Sequence, residues 1–143
     1  MKNGDVRRLV RYRLEQAYEA IEDARLLLDS ERSSISIVNR AYYAMFYAVL
    51  ALLQTIGKVP HKHAGAIALF DSEFVKNGPF SKEMSKDLHR TFQLRQTTDY
   101  QVAPRTGREE AAGVLEKATT FVNAITKHLK IEPAGRVGEQ SPQ

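Results

Sequence analysis

Residues 35–53 read ISIVNRAYYAMFYAVLALL, and this is almost the only long apolar run in the chain. A helix over this run would be apolar on nearly all sides, which is typical of a central helix rather than a surface helix. One stripe differs, because polar and aromatic side chains recur there every three or four residues, at Ser36, Arg40, Tyr43 and Tyr47. A polar stripe on a buried helix needs partners from another part of the chain.

The composition indicates an ordinary soluble protein. A chain of 143 residues, with 43% hydrophobic and 27% charged residues, is long enough for one domain with a hydrophobic core. The absence of cysteine excludes disulfides, thiolate metal sites and cysteine nucleophiles. The first twenty residues lack the apolar segment of a signal peptide, and Asn39, Arg40 and Gln54 interrupt the run at 35–56. We therefore expect a cytoplasmic protein without a membrane span.

Positive charge is concentrated at the N-terminus. The first thirteen residues contain five basic side chains against the single carboxylate of Asp5, and this imbalance equals the net charge of +4 of the whole chain. The cluster consists of Lys2, Arg7, Arg8, Arg11 and Arg13. It could contact phosphates, or it could simply be the solvated start of a helix, and charge alone does not decide between these interpretations.

Helical periodicity extends through most of the chain, and no segment shows the alternation of a strand. The predicted helices run from Asp5 to Leu28, from Ser33 or Ser34 to Ile56, from His63 to Lys76, from Ser81 towards Pro104, and from a capping box at residues 106–109 to Leu129. We predict an all-α fold, an up-and-down four-helix bundle with one additional short helix. The folded domain is expected to cover residues 1–130, and residues 131–143 are expected to form a disordered tail.

The fourth helix places two charges on its apolar face. Residues 84, 88 and 92 of this face are apolar, and the same face then presents Arg95 and Asp99. Buried charges without partners are costly, and an arginine that precedes an aspartate is the weaker order within one helix. The pair could be a structural ion pair that fixes helix register or a subunit contact. It could instead find partners on the second helix, where Tyr43, Tyr47 and Asn39 are candidates.

The histidines do not predict a metal site. His61 and His63 are one residue apart, but no third ligand lies at a useful spacing nearby. We expect His63 to pack against a neighbour at the start of the third helix. The sequence also contains no nucleophile elbow, glycine-rich phosphate loop or HExxH motif, so no cofactor is expected.

Three motifs resemble those of the HEPN domain family (higher eukaryotes and prokaryotes nucleotide-binding), in particular its small stand-alone bacterial and archaeal branch. They are NRAYYAMF at residues 39–46, KHAG at 62–65 and LRQTTDY at 94–100. The resemblance covers residues from about 8 to 130 and implies a five-helix bundle that commonly dimerises. It also implies a relationship to metal-independent ribonucleases, which are often toxins paired with a small nucleotidyltransferase antitoxin.

The active site of such ribonucleases is an arginine followed, after four to six residues, by a histidine on the fourth long helix. The arginine corresponds to Arg95. No histidine follows at the required spacing, where this chain has Tyr100, Gln101 and Val102. Because tyrosine has an ordinary pKa of about 10, it is a poor general base near neutral pH, whereas an arginine can still hold a phosphate.

We therefore expect a homodimeric binding module that contacts a nucleotide, RNA or a nucleotidyltransferase-fold partner. One alternative is a metal-independent endoribonuclease toxin that uses Arg95 with Asp99, Tyr100 or His63. A second alternative is a purely structural dimerisation domain. The expected site residues are Arg95, Asp99, Tyr100, Asn39, Arg40, Tyr43, Tyr47 and His63.

Overall fold

The chain folds into five helices. The computed structural model describes residues 3–31, 33–100 and 107–133, except for the side chains of residues 3 and 97–100. The helices are α1 (Asn3–Asp29), α2 (Ser34–Thr55), α3 (His63–Phe70), α4 (Lys82–Tyr100) and α5 (Arg108–Leu129). A π-helical turn, Asp71–Val75, continues α3. The predicted all-α fold is confirmed, and no strand occurs within the described ranges.

Contacts between α1 and α5 define the direction of these two helices. Near one end of the bundle, Arg108 Nη2 donates a hydrogen bond to the carbonyl oxygen of Leu28 at 2.7 Å. Further along, the hydroxyl of Tyr18 donates to Asn123 Oδ1 at 2.6 Å and lies 3.0 Å from Thr126 Oγ1. From the first contact to the second, the residue number decreases in α1 and increases in α5, so the two helices are antiparallel. The end of α1 and the start of α5 therefore lie at the same end of the bundle.

The central helix is α2, as its sequence predicts. Eleven of its 22 residues are buried. The apolar seams of α1 and α5 pack against this core, with Leu14 and Ile125 among the fully buried side chains. By length and hydropathy alone α2 could also cross a membrane. Its apolar surface is nevertheless used in the bundle, where burial of this surface stabilises the fold.

The helix boundaries differ from the predictions at two places. The first helix begins at Asn3, before Asp5, and the regular α3 ends at Phe70 rather than at Lys76. In the π-helical turn that follows, the Lys76 N–H donates to the carbonyl of Asp71, a five-residue step. The carboxylate of Asp71 also accepts a hydrogen bond from the Ser85 hydroxyl at 2.7 Å and pairs with His89 Nε2 at 2.6 Å, so the turn is tied to α4.

The predicted start of α4 is confirmed to within one residue, since Ser81 Oγ accepts a hydrogen bond from the Met84 N–H at 3.2 Å. This is the geometry of a helix N-cap. Three predictions lie outside the described residues: the end of the fourth helix towards Pro104, the side chains of Asp99 and Tyr100, and most of the C-terminal tail. The predicted capping box at residues 106–109 is wrong by one residue, because the N-cap of α5 is Gly107, which has no side chain that could cap the helix.

Candidate functional site

Arg95 is the charged group at the centre of the candidate site. It lies on α4, and its guanidinium carbon is 5.4 Å from the ring centre of Tyr42 and 5.2 Å from that of Tyr43. Its Nη2 donates a long hydrogen bond of 3.4 Å to the Tyr43 hydroxyl. Both rings are within cation–π range, which holds the guanidinium against α2. The predicted contact between the fourth helix and Tyr43 is therefore present.

A second arginine approaches the same tyrosine. The guanidinium carbon of Arg40 lies 5.1 Å from the ring centre of Tyr43, and its Nη2 donates to Asn39 Oδ1 at 3.4 Å. Arginine stays charged at every physiological pH. Tyr43 is therefore bordered by a permanent positive charge from each of two helices. A negative group that reached either guanidinium would be attracted by its charge.

His63 closes the site from the first turn of α3. Its ring stacks on Phe46, with centres 4.1 Å apart and planes 10° apart, and its Nδ1 lies 2.7 Å from the Tyr42 hydroxyl. Partial burial lowers the pKa of His63 below its ordinary value, and the positive charge of Arg95 lowers it further. The neutral imidazole is therefore favoured, and the expected packing of His63 against a neighbour is observed.

Tyr42 lies below the surface and contacts both His63 and Arg95. Its side chain is completely buried, and burial raises the pKa of its hydroxyl well above the ordinary value. The nearby charge of Arg95 opposes this rise, and Tyr43 adds to it. The phenol consequently keeps its proton, which makes a neutral hydrogen bond with a neutral histidine the stable arrangement.

Further aromatic rings surround these residues. Phe92 of α4 has its ring centre 5.4 Å from that of Tyr42 and 6.2 Å from that of His63. Tyr47 lies at the edge, with its ring centre 5.9 Å from Tyr43 and 6.2 Å from Phe46. We call the set of Tyr42, Tyr43, Phe46, Tyr47, His63 and Phe92 the aromatic cluster. Because it draws on α2, α3 and α4, it fixes the positions of Arg40 and Arg95 relative to one another.

The structure brings six of the expected residues together: Arg95, Arg40, Asn39, Tyr43, Tyr47 and His63. The side chains of Asp99 and Tyr100 lie outside the described part. Sequence reasoning missed Tyr42, Phe46 and Phe92, because their helical spacing is equally typical of an ordinary core. One signal was available for Tyr42, since a tyrosine on the buried face of a helix needs a hydrogen-bond partner.

The described side chains of this region do not form a metal site. Among the described residues, no group of three or more histidine or acidic side chains could hold a metal ion. The groups that are present can bind an anion through a guanidinium ion, and a neutral imidazole can accept a proton.

Comparisons with known proteins place the chain in a family. The family model for the HEPN domain matches residues 10–129. A UPF0332 protein of Thermotoga maritima is 42% identical over 123 residues, which cover 86% of this chain and 92% of that protein. Two proteins of Methanocaldococcus jannaschii that carry the name "Putative toxin" are also similar. One is 35% identical over 116 residues, covering 81% of this chain and 78% of the relative. The other is 34% identical over 128 residues, covering 90% and 94%. The resemblance seen in the three sequence motifs is thus confirmed over most of the chain, which belongs to the HEPN domain family.

Proposed function

We propose that this chain is the HEPN component of a toxin–antitoxin-type pair and acts as a binding module that holds a phosphate of a nucleotide or of RNA at Arg95. The observation that carries this proposal is the position of Arg95 against Tyr43, a ring that the guanidinium of Arg40 also approaches. Fixed guanidinium groups bind phosphate oxygens through strong, charge-assisted hydrogen bonds. The names of the two archaeal relatives support the toxin–antitoxin context.

RNA binding by Arg95 variants tests this function. In fluorescence anisotropy with a short labelled RNA, Arg95→Ala should weaken binding about tenfold or more, because one charge-assisted hydrogen bond contributes about 1.5–3 kcal/mol. Arg95→Lys should retain only part of the affinity, since lysine keeps the charge but not the fork of donors. The control is Arg90→Ala, which removes an exposed arginine from the same helix. Equal affinity of Arg95→Ala and Arg90→Ala would refute the proposal.

A homodimer and a nucleotidyltransferase-fold partner are part of the proposal and rest on membership of the family. Light scattering of the purified chain should give the mass of a dimer, and co-expression with a nucleotidyltransferase-fold protein encoded nearby should give a complex that survives purification. If Arg95→Ala reduces the mass without any change in RNA or nucleotide affinity, Arg95 serves only to stabilise the dimer.

An endoribonuclease is the second candidate, and the position of His63 favours it. The motif histidine is absent at residues 100–102, but His63 and Arg95 both lie against the ring of Tyr43, and His63 is near enough for the charge of Arg95 to lower its pKa. Its Nδ1 faces Tyr42, so Nε2 can take a proton from a ribose hydroxyl only in the tautomer in which Nδ1–H donates to the Tyr42 oxygen. A nuclease of this kind should cleave RNA in the presence of a chelator and lose activity in both Arg95→Ala and His63→Gln. Cleavage that both variants retain would come from a contaminant.

A further inference from the structure

A cleft between α4 and α5 lies apart from the candidate site. It has a volume of about 300 Å³, and none of its lining residues belongs to the aromatic cluster or to the arginines that contact it. Gly113 of α5 forms part of the wall, and a Cβ atom there would meet nothing within 4 Å outside its own helix. A larger residue at this position would therefore have room for its side chain.

The walls of the cleft are mainly apolar, with a carboxylate towards one end. Leu94 of α4 and Val114 of α5 supply hydrocarbon, and both pack against the hydrophobic core. Asp87 lies seven residues before Leu94, roughly 10 Å along the axis of α4. Its carboxylate oxygen Oδ1 is 3.9 Å from Lys117 Nζ of α5. An apolar molecule with one polar end matches this division of the walls.

The carboxylate of Asp87 lacks a hydrogen-bond donor. The side chain is only 14% exposed, and within the described part of the chain its buried Oδ1 accepts no hydrogen bond. Lys117 Nζ is near enough to balance the charge but lies beyond hydrogen-bond distance. The hydroxyl of Thr91, which also lines the cleft, donates to the backbone carbonyl of Asp87 instead. A donor on a ligand would therefore satisfy a buried acceptor that is costly to leave unpaired.

The charges in the walls of the cleft are balanced. Asp87 and Glu110 contribute two negative charges, and Arg90 and Lys117 contribute two positive charges. An ion that enters the cleft meets both signs and gains little net attraction, whereas an uncharged donor needs no counter-charge. The volume lies at the lower end of the range of small-molecule sites.

We propose that the cleft between α4 and α5 binds a small uncharged molecule with an apolar body and an amide N–H or hydroxyl donor. The donor bonds to the carboxylate of Asp87, and the body lies against Leu94 and Val114. Lys117, whose side chain is 51% exposed, continues to balance the charge of Asp87 from the solvent side. This site goes beyond the proposed function, because it uses no residue of the phosphate-binding site.

NMR titration of the full-length chain with three small probes tests the site. The probes are benzamide, N,N-dimethylbenzamide, which has no N–H donor, and benzamidine, which has the shape of benzamide and a positive charge. Benzamide should shift the backbone amides of residues 87–94 and 113–117 and bind about tenfold more tightly than N,N-dimethylbenzamide. Benzamidine should bind no more tightly than benzamide, because Lys117 repels its charge.

Two variants examine the polar end and the open volume separately. Asp87→Ala removes the acceptor, so benzamide and N,N-dimethylbenzamide should then bind about equally. Gly113→Leu fills the cleft and should abolish the binding of both probes. Thr120→Leu is its control, because Thr120 is exposed on the same helix two turns further along and does not line the cleft. Thermal denaturation verifies that each variant is folded.

The possible results distinguish the parts of the proposal. If benzamide shifts none of these amides, or if Gly113→Leu and Thr120→Leu behave alike, the cleft is not a binding site. If the preference for benzamide persists in Asp87→Ala, Asp87 is not the acceptor and the proposal fails. Clearly tighter binding of benzamidine would overturn the assignment of an uncharged ligand.

Discussion

Tyr42 shows how a single hydroxyl organises this site. The ring is fully buried on α2, yet its polar atom lies 2.7 Å from His63 Nδ1 and thus has a partner on another helix. A buried polar group with a partner contributes modestly to stability, whereas a group that has lost its partner destabilises the fold. The hydrogen bond also aligns the imidazole for its stack on Phe46.

Replacement of Tyr42 by phenylalanine isolates this hydrogen bond. We expect Tyr42→Phe to lower the free energy of unfolding by about 1–2 kcal/mol, because the ring remains but His63 Nδ1 loses its partner. Urea denaturation measures the change. Tyr47→Phe is a suitable control, since Tyr47 is only half-buried at the edge of the cluster, and its effect should stay within about 0.5 kcal/mol. Equal losses in the two variants would show that the Tyr42 hydroxyl has no special role.

His63 makes the stability of the protein depend on pH. Its pKa in the folded chain is below the ordinary value of 6.5, so the unfolded chain binds more protons once the pH falls below 6.5. The contribution of neutral His63 is therefore fully present above pH 6.5, and it declines as the pH falls from 6.5 towards the lowered pKa. Urea denaturation from about pH 8 to about pH 5 should show a smaller slope for His63→Gln than for the parent chain.

The cause of the lowered pKa can be tested separately. Burial is the larger cause and the charge of Arg95 the smaller one. In Arg95→Met, the pKa of His63 should therefore rise part of the way towards 6.5 without reaching it. An NMR titration of the His63 ring protons measures both values. A pKa that is the same with and without Arg95 would mean that the arginine is too well screened to influence His63.

At the scale of the helices, local sequence determined most of what could be predicted. The seams of α1 and α5 follow from apolar residues at helical spacing, and the central place of α2 follows from an apolar surface on nearly all its sides. The π-helical turn after Phe70 could not be predicted in this way. It is stabilised by contacts of Asp71 with Ser85 and His89, residues that are distant in sequence.

Two glycines should respond in opposite ways to replacement by alanine: Gly78 in the connection after this turn, and Gly113 within α5. A Cβ atom on Gly78 would lie 2.5 Å from the carbonyl carbon and oxygen of Phe74, so the chain passes too closely for any side chain. We expect Gly78→Ala to destabilise the fold by about 1–3 kcal/mol. Gly113 lies within α5, where an added Cβ atom would meet nothing within 4 Å outside its own helix, so Gly113→Ala should instead stabilise the fold by about 0.5–1 kcal/mol. Thermal denaturation of both variants checks the opposite signs.

At the scale of the whole molecule, the candidate site required the three-dimensional fold. The sequence placed Arg95 on an apolar face and predicted a polar partner on the second helix, which is the observed Tyr43. His63 and Arg40 were also expected in the site, but the sequence could not show that both would contact the ring of Tyr43, because those contacts depend on how the helices pack. Core residues such as Tyr42 and Phe92 acquired a place in the site only through this packing.

The helices differ in how firmly they are held, and this difference predicts the local stability of the site. Half of α2 is buried, whereas the described side chains of α4 include only two that are buried, Leu88 and Thr91. Segments with little buried apolar surface open more readily than the core of a domain. In hydrogen exchange measured by mass spectrometry, amides of α4 should therefore exchange faster than those in the middle of α2.

The same experiment connects local stability with binding. If Arg95 holds a phosphate, a saturating ligand links α4 to α2 and should slow exchange in α4 more than in α5, because a ligand stabilises the closed form to which it binds. Arg95→Ala should abolish this selective protection, and Arg90→Ala should preserve it. Protection spread evenly over all helices would mean that the ligand stabilises the bundle as a whole and does not act through α4.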